Sequence, residues 1–194
     1  GLGSRAVTPD AVGPKVCDHV IATRHLITRS PEYFAAWRPV CALAPGVLGQ
    51  TGVEANEVIR GVLDRVRPGA VIAVDALAAG RLSRLVRTVQ LTDTGIVPGS
   101  GVGNSRQEFS RRTLGVPVRA VGVPTVADGG WIAHESACQL GGAACEALDD
   151  LSQPFIITTR DIDREVADTA RLIGYAVNMA LQGLSVEDID LYLS

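Results

Sequence analysis

Aromatic side chains are scarce in this 194-residue chain, at 4%. Its core must therefore be filled by small and branched aliphatic residues, which suits helices packed tightly on a sheet. An excess of charge of one sign is also missing. The formal net charge of −3 leaves no global electrostatic case for a nucleic-acid partner. No uninterrupted apolar stretch reaches the roughly 20 residues that a membrane-spanning helix needs. No secretory signal, internal repeat or low-complexity linker stands out. The four cysteines, Cys17, Cys41, Cys138 and Cys145, lack C-x-x-C spacing, and the last two stand too far apart for a metal knuckle. What remains is a soluble single domain over residues 1–194, with four buried thiols in a reducing cytoplasm. Its 46% hydrophobic content is that of an ordinary globular protein.

The organising stretch is Pro68–Gly80. Val71-Ile72-Ala73-Val74 is a short β-branched run after a Pro-Gly turn, as in a strand buried on both faces of a parallel sheet. Asp75 then stands at the carboxyl end of that run, where open α/β sheets bind their ligands. Upstream, Thr8 suits a helix cap, Pro9 its first position and Asp10 its first turn. Pro14 conflicts with that start and moves the regular helix towards position 14. Gly1-Leu2-Gly3 looks like the loop leaving a strand that lies before it. Arg38–Ala44 reads as a second strand, and Thr51 opens an amphipathic helix that ends at Pro68. This order predicts a parallel crossover. Val86–Thr92 alternates like a half-exposed strand, and Pro117–Val126 gives one more. Helical patterns follow at Ala133–Leu148, Asp161–Leu181 and Val186–Leu193.

Three loops compete for the chemistry. Gly99, Gly101 and Gly103 could form an anion nest from backbone N–H groups. They lack the G-x-G-x-x-G spacing and the P-loop lysine, so a cleft rim is the better reading. Asp93-Thr94-Gly95 matches the triplet of pepsin-like proteases. Those enzymes need two such triplets in an all-β fold, and this chain has one inside an α/β pattern. The third candidate is a pair, Asp10 and Asp75. If the strands before them are neighbours, both carboxylates face one crevice. One pKa is then pushed up, giving a base for water and an acid for the leaving amine.

Several segments carry a resemblance in order: Val7–Lys15 with its T-P-D-A, Ala44–Glu54, Ile72–Ala79 with its D-A-L-A-A, Asp93–Asn104, and Gly122–Val126. Together they resemble the spore germination proteases, densely over residues 1 to 127 and weakly again near Ile157–Asp163. The resemblance implies an aspartic-type endopeptidase, unrelated to pepsin, that degrades small acid-soluble spore proteins during germination. It assigns catalysis to Asp10 and Asp75. The implied fold is a three-layer α/β/α arrangement with a twisted, mostly parallel sheet, similar to hydrogenase-maturation endopeptidases. It further implies a zymogen with a propeptide, a homotetramer, and residence in the cytoplasm of the spore core.

Departures accompany it: the propeptide and first strand are expected to be missing ahead of Gly1, and the Val126–Ile157 segment is shorter than the pattern expects. Asp93, Gly99, Gly101 and Gly103 are expected to shape the substrate cleft. If cleavage follows Glu, as in the family, Arg81 and Arg106 are the candidate cations. No cofactor is expected. A metal-dependent peptidase of the maturation type and an inactive binding module are the alternatives. For the metal, His19, His25 and His134 are available but lack ligand spacing.

Overall fold

A computed structural model describes residues 1–100, 106–140 and 155–194. Helices α1 (Val12–Asp18), α2 (Arg24–Arg29), α3 (Pro31–Phe34), α4 (Leu48–Thr51) and α5 (Ala55–Val66) precede strand β1 (Val71–Ala79). Then come β2 (Gln90–Thr92), α6 (Arg111–Leu114), β3 (Val118–Asp128), α7 (Gly129–Leu140), β4 (Ile156–Ile157), α8 (Ile162–Gln182) and α9 (Val186–Leu193). β1 pairs in parallel with β3 from Val71 to Ala79, with a one-residue shift in register between Leu77 and Ala78, while β2 and β4 pair antiparallel with β3. The fold is α/β with an open, mostly parallel sheet.

The period-2 alternation of a strand divides β1 and β3 into two faces. Val74, Val121 and Val123 look one way, into a cluster with Ala11, Val12 and Val16 around α1 and Ile162, Val166, Ala170 and Ile173 of α8. Ala73 and Val118 look the other way, towards Leu2, Phe109 and Leu114, with Ile59 and Leu63 of α5 packed against them. Each fully buried valine is worth roughly 1.5–3 kcal/mol of transfer free energy, so these two clusters hold the helices against β1 and β3.

Several sequence expectations change. Arg38–Ala44 forms no strand. The Thr23 and Arg24 N–H groups both donate to the Val40 carbonyl, at 2.9 and 3.0 Å. Gln182 brackets Arg38, accepting from its N–H at 2.9 Å and donating to its carbonyl at 2.8 Å. Side chains and a helix start have taken the backbone groups that a ladder needs. No crossover therefore runs from this segment into β1. The expected strand at Val86–Thr92 shortens to β2, because Val86 adopts a positive φ of 51° and its N–H donates to the Pro124 carbonyl. Thr8 caps nothing; its hydroxyl donates to Asp163 at 2.8 Å, and Thr8–Asp10 is a 3-10 turn ahead of α1. The helix expected from Thr51 begins at Ala55, where the Glu57 side chain accepts from the Glu54 N–H. Asp161–Leu181 and Val186–Leu193 match α8 and α9 closely. Cys17 is half-buried and Cys41 exposed, so these two thiols are not core residues. The side chains of Cys138 and Cys145, and the helix beyond Leu140, lie outside the described residues.

Candidate active site

Asp75 is the fifth residue of β1, in register with Gly122 of β3. It does not end the strand as its sequence suggested. Ala76–Ala79 have little strand preference of their own, but pairing with β3 carries the strand on. The Asp75 side chain is 3% exposed, and its Oδ2 has no hydrogen-bond partner among the described residues. Burial pushes the carboxyl up to about 7, and the negative charge of Asp10 adds to the rise. The Ala76 N–H opposes both.

Asp10 reaches this place through close backbone packing. The Leu2 N–H donates to the Val74 carbonyl at 2.7 Å, so the first residues lie along the outer edge of β1. Gly13 of α1 stacks on that contact. A Cβ there would stand 2.3 Å from the Leu2 oxygen and 2.4 Å from that of Val74. Gly3, with φ of +107°, tucks under Asp10, where a Cβ would meet the Asp10 carbonyl oxygen at 2.0 Å and its Oδ1 at 3.0 Å. The Ser4 N–H donates to Asp10 Oδ2 at 2.6 Å, while Gln50 holds the Ser4 hydroxyl at 2.8 Å. Half-buried Asp10 is itself raised by burial, with the Ser4 N–H pulling the other way. Two carboxyl groups of unequal proton affinity thus sense each other beside one strand. Such a pair supports proton transfer in both directions.

The other expected residues lie apart from this pair. Asp93 is exposed and 3.9 Å from Arg119, level with the start of β3 rather than with Asp75. Gly95–Ser100 folds back through an Ile96–Phe109 bridge and borders an open cleft of about 520 Å³. Leu77, Gln90, Thr92 and Gly122 form its other wall. Leu77 shares the face of β1 that bears Asp75, and Asp75 itself does not line the cleft. Gly99 is not among the residues lining the cleft, although Val97 and Ser100 on either side of it are; Gly101 and Gly103 lie outside the described residues. Arg106 sits 3.6 Å from Glu54, so its charge is already engaged. Arg81 is exposed just past β1, with no ion pair among the described residues. Ser4 and Gln50, which hold Asp10, were not singled out by the sequence. Nothing in local spacing marks a buried serine as a carboxylate's backbone donor.

His19 ends α1 and His25 is exposed in α2; the side chain of His134 lies outside the described residues. Among the described residues no three His, Cys, Asp or Glu side chains gather closely enough to hold a metal ion. No described helix is long and apolar enough to cross a membrane.

The family model described as germination protease matches residues 1–140. A germination protease of Clostridium tetani is 38% identical over 222 aligned positions, covering all of this chain and 69% of the relative. One from Caldanaerobacter subterraneus is 40% identical over 218 positions, covering 98% and 67%. One from Bacillus velezensis is 54% identical over 137 positions, covering 70% of this chain and 37% of the relative. This chain belongs to the germination protease family. Membership makes it a peptidase by descent, and the match over residues 1–140 contains both Asp10 and Asp75. The alignment to the C. tetani germination protease has more positions, 222, than this chain has residues, so the chain is the shorter partner within it.

Proposed function

We propose that this germination protease is an endopeptidase of aspartic type that degrades small acid-soluble spore proteins, with Asp10 as base and Asp75 as proton carrier. The observation that carries the reading is the buried Asp75 carboxyl, held up to about 7 beside a second carboxyl, with one oxygen unpartnered. Below its pKa of about 7 Asp75 keeps its proton, while Asp10, whose ionised form the Ser4 N–H favours, is the one that gives up its own. Ionised Asp10 takes a proton from a water as that water's oxygen bonds to the peptide carbonyl carbon. Asp75 donates its proton to the carbonyl oxygen. On collapse, the C–N bond breaks, the proton on Asp10 passes to the departing nitrogen, and Asp75 recovers a proton from the hydroxyl that becomes the new carboxyl group. One water is consumed and both side chains return to their starting states.

The three-layer arrangement and the likeness to hydrogenase-maturation endopeptidases belong to the same proposal. Helices on both faces of the sheet favour them. A zymogen stage, a tetramer and the spore core extend it from the family resemblance alone. For specificity after Glu, Arg81 is the better cation, since Arg106 is paired with Glu54. The test is digestion of a purified small acid-soluble spore protein, read by mass spectrometry. Discrete internal fragments that the Asp75→Asn protein does not produce are expected. An intact substrate, or the same fragments from the variant, would overturn the reading.

A further inference from the structure

β1 is an edge strand of the described sheet, whose order is β1-β3-β2. Its outer edge is used only in part. Leu2 bonds the Val74 carbonyl, and the chain then leaves: the Ser4 N–H turns to the Asp10 carboxylate instead of continuing along β1.

The direction of that first segment follows from its neighbours. A Cβ on Gly1 would meet Cys17 near the end of α1, whereas Gly3 lies against Asp10 just before its start. Residues 1–3 therefore run opposite to α1. The Thr8–Asp10 turn packs against β1, β3 and α8, and α8 follows β4, which pairs with the last residues of β3. Asp10 thus lies towards the carboxyl ends of β1 and β3. Residues 1–3 run parallel to β1 and stop beside Asp10, short of the end of the strand.

Backbone groups of alternate residues in a strand face the same edge. Since the Val74 carbonyl faces outward, those of Ala76 and Ala78 do too; the register shift between Leu77 and Ala78 puts the extra residue, Thr125, on β3 and leaves the alternation of β1 itself in place. The Ala76 N–H lies close enough to the Asp75 carboxyl to favour its ionised form. Among the described residues, nothing bonds the Ala76 carbonyl, the Ala78 N–H or the Ala78 carbonyl from that side. Ala76, Leu77 and Ala78 are only half-buried. An open row of donors and acceptors is a template for another strand. This one starts next to Asp75, just beyond the point where the Ser4 N–H turns away to the Asp10 carboxylate.

We infer that the outer edge of β1 at Ala76–Ala78 binds the protein substrate as an added β-strand, main chain to main chain, delivering the scissile bond to the Asp10–Asp75 pair. The inference rests on the peptidase reading above and adds where and how the substrate is held. Recognition through backbone groups needs an extended, unfolded segment, so the preferred substrate is a chain without stable structure. A folded domain offers no such strand.

The test is an N-methyl scan of a peptide spanning a bond that the unaltered protein cuts in a small acid-soluble spore protein. Each backbone N–H flanking the bond is methylated in turn and kcat/KM measured. Strand addition predicts losses of about tenfold or more at every second position and near-normal cleavage between them. Losses without that period, or none, would overturn strand addition while leaving the peptidase reading intact. A whole small acid-soluble spore protein left uncut by the unaltered protein would overturn both. As a second variant, Ala78→Pro removes an outward N–H without taking one from the β1–β3 ladder. It should lower kcat/KM about tenfold while the Tm stays within a few degrees, and unchanged cleavage by the folded variant would contradict the docking edge.

Discussion

The Leu2 N–H donates to the Val74 carbonyl at 2.7 Å, and this one bond joins the segment leading to Asp10 to the strand that carries Asp75. Val74 precedes Asp75, and Gly13, three residues after Asp10, packs directly on the bonded pair. Backbone contacts that leave no room for a side chain hold the two carboxyl groups near each other.

Gly13 is accordingly a position where alanine destabilises. In an ordinary helix interior, Gly→Ala gains roughly 1 kcal/mol. Here the new Cβ would lie 2.3 Å and 2.4 Å from two backbone oxygens, neither of which can rotate away. Overpacking of this kind costs about 1–3 kcal/mol or more, so the sign reverses. Thermal unfolding of Gly13→Ala should show a Tm lower by roughly 3–10 °C; a higher Tm would contradict the packing.

Asp75 makes stability depend on pH. Its pKa is about 7 folded against an ordinary 3.8, so between those values the native state binds more protons than the unfolded chain. Stability therefore falls as pH rises through that window and is flat above it. Asp75→Asn removes this loss. The variant should gain stability over the parent by a few kcal/mol at pH 8, with the gain fading towards pH 4. Denaturant unfolding at the two pH values checks it.

The same proton should appear in catalysis. Cleavage should be bell-shaped in pH. The alkaline limb falls near 7 as the pair loses its last proton, and the acid limb lies above the ordinary carboxylate range because Asp10 is raised by burial. A kcat/KM profile that stays level from pH 6 to 9 would remove Asp75 as the proton carrier.

Arg81 and Arg106 should behave differently when reversed in charge. Arg81→Glu should raise KM tenfold or more for a substrate with Glu before the cut, with little change when Gln replaces that Glu. Arg106→Glu faces Glu54 across 3.6 Å and should chiefly loosen the start of α5. Paired KM and Tm measurements on both variants separate the two roles.

Much of this arrangement was legible in the sequence. The β-branched run of β1, the strand at Val118–Asp128 and the 3.6-residue periods of α5, α8 and α9 are local patterns, and they survive in the structure. The Asp10–Asp75 pairing could be argued because each residue lies next to a strand-like segment. Arg38–Ala44 failed because its backbone partners, Thr23 and Gln182, come from distant parts of the chain. The length of β1 was missed for a related reason: β3, not alanine, keeps Ala76–Ala79 extended. Ser4 and Gln50 gave no local signal, since their role depends on where Asp10 is folded back.

If Asp10 and Asp75 act as one catalytic unit, single-turnover cleavage by Asp10→Asn, Asp75→Asn and the double variant will show it. Groups that act together are strongly non-additive. Each single change should slow cleavage by roughly a thousandfold or more, with the double variant little worse than either, and all three should remain folded by circular dichroism. A folded single variant retaining activity within about tenfold of the parent would contradict the account.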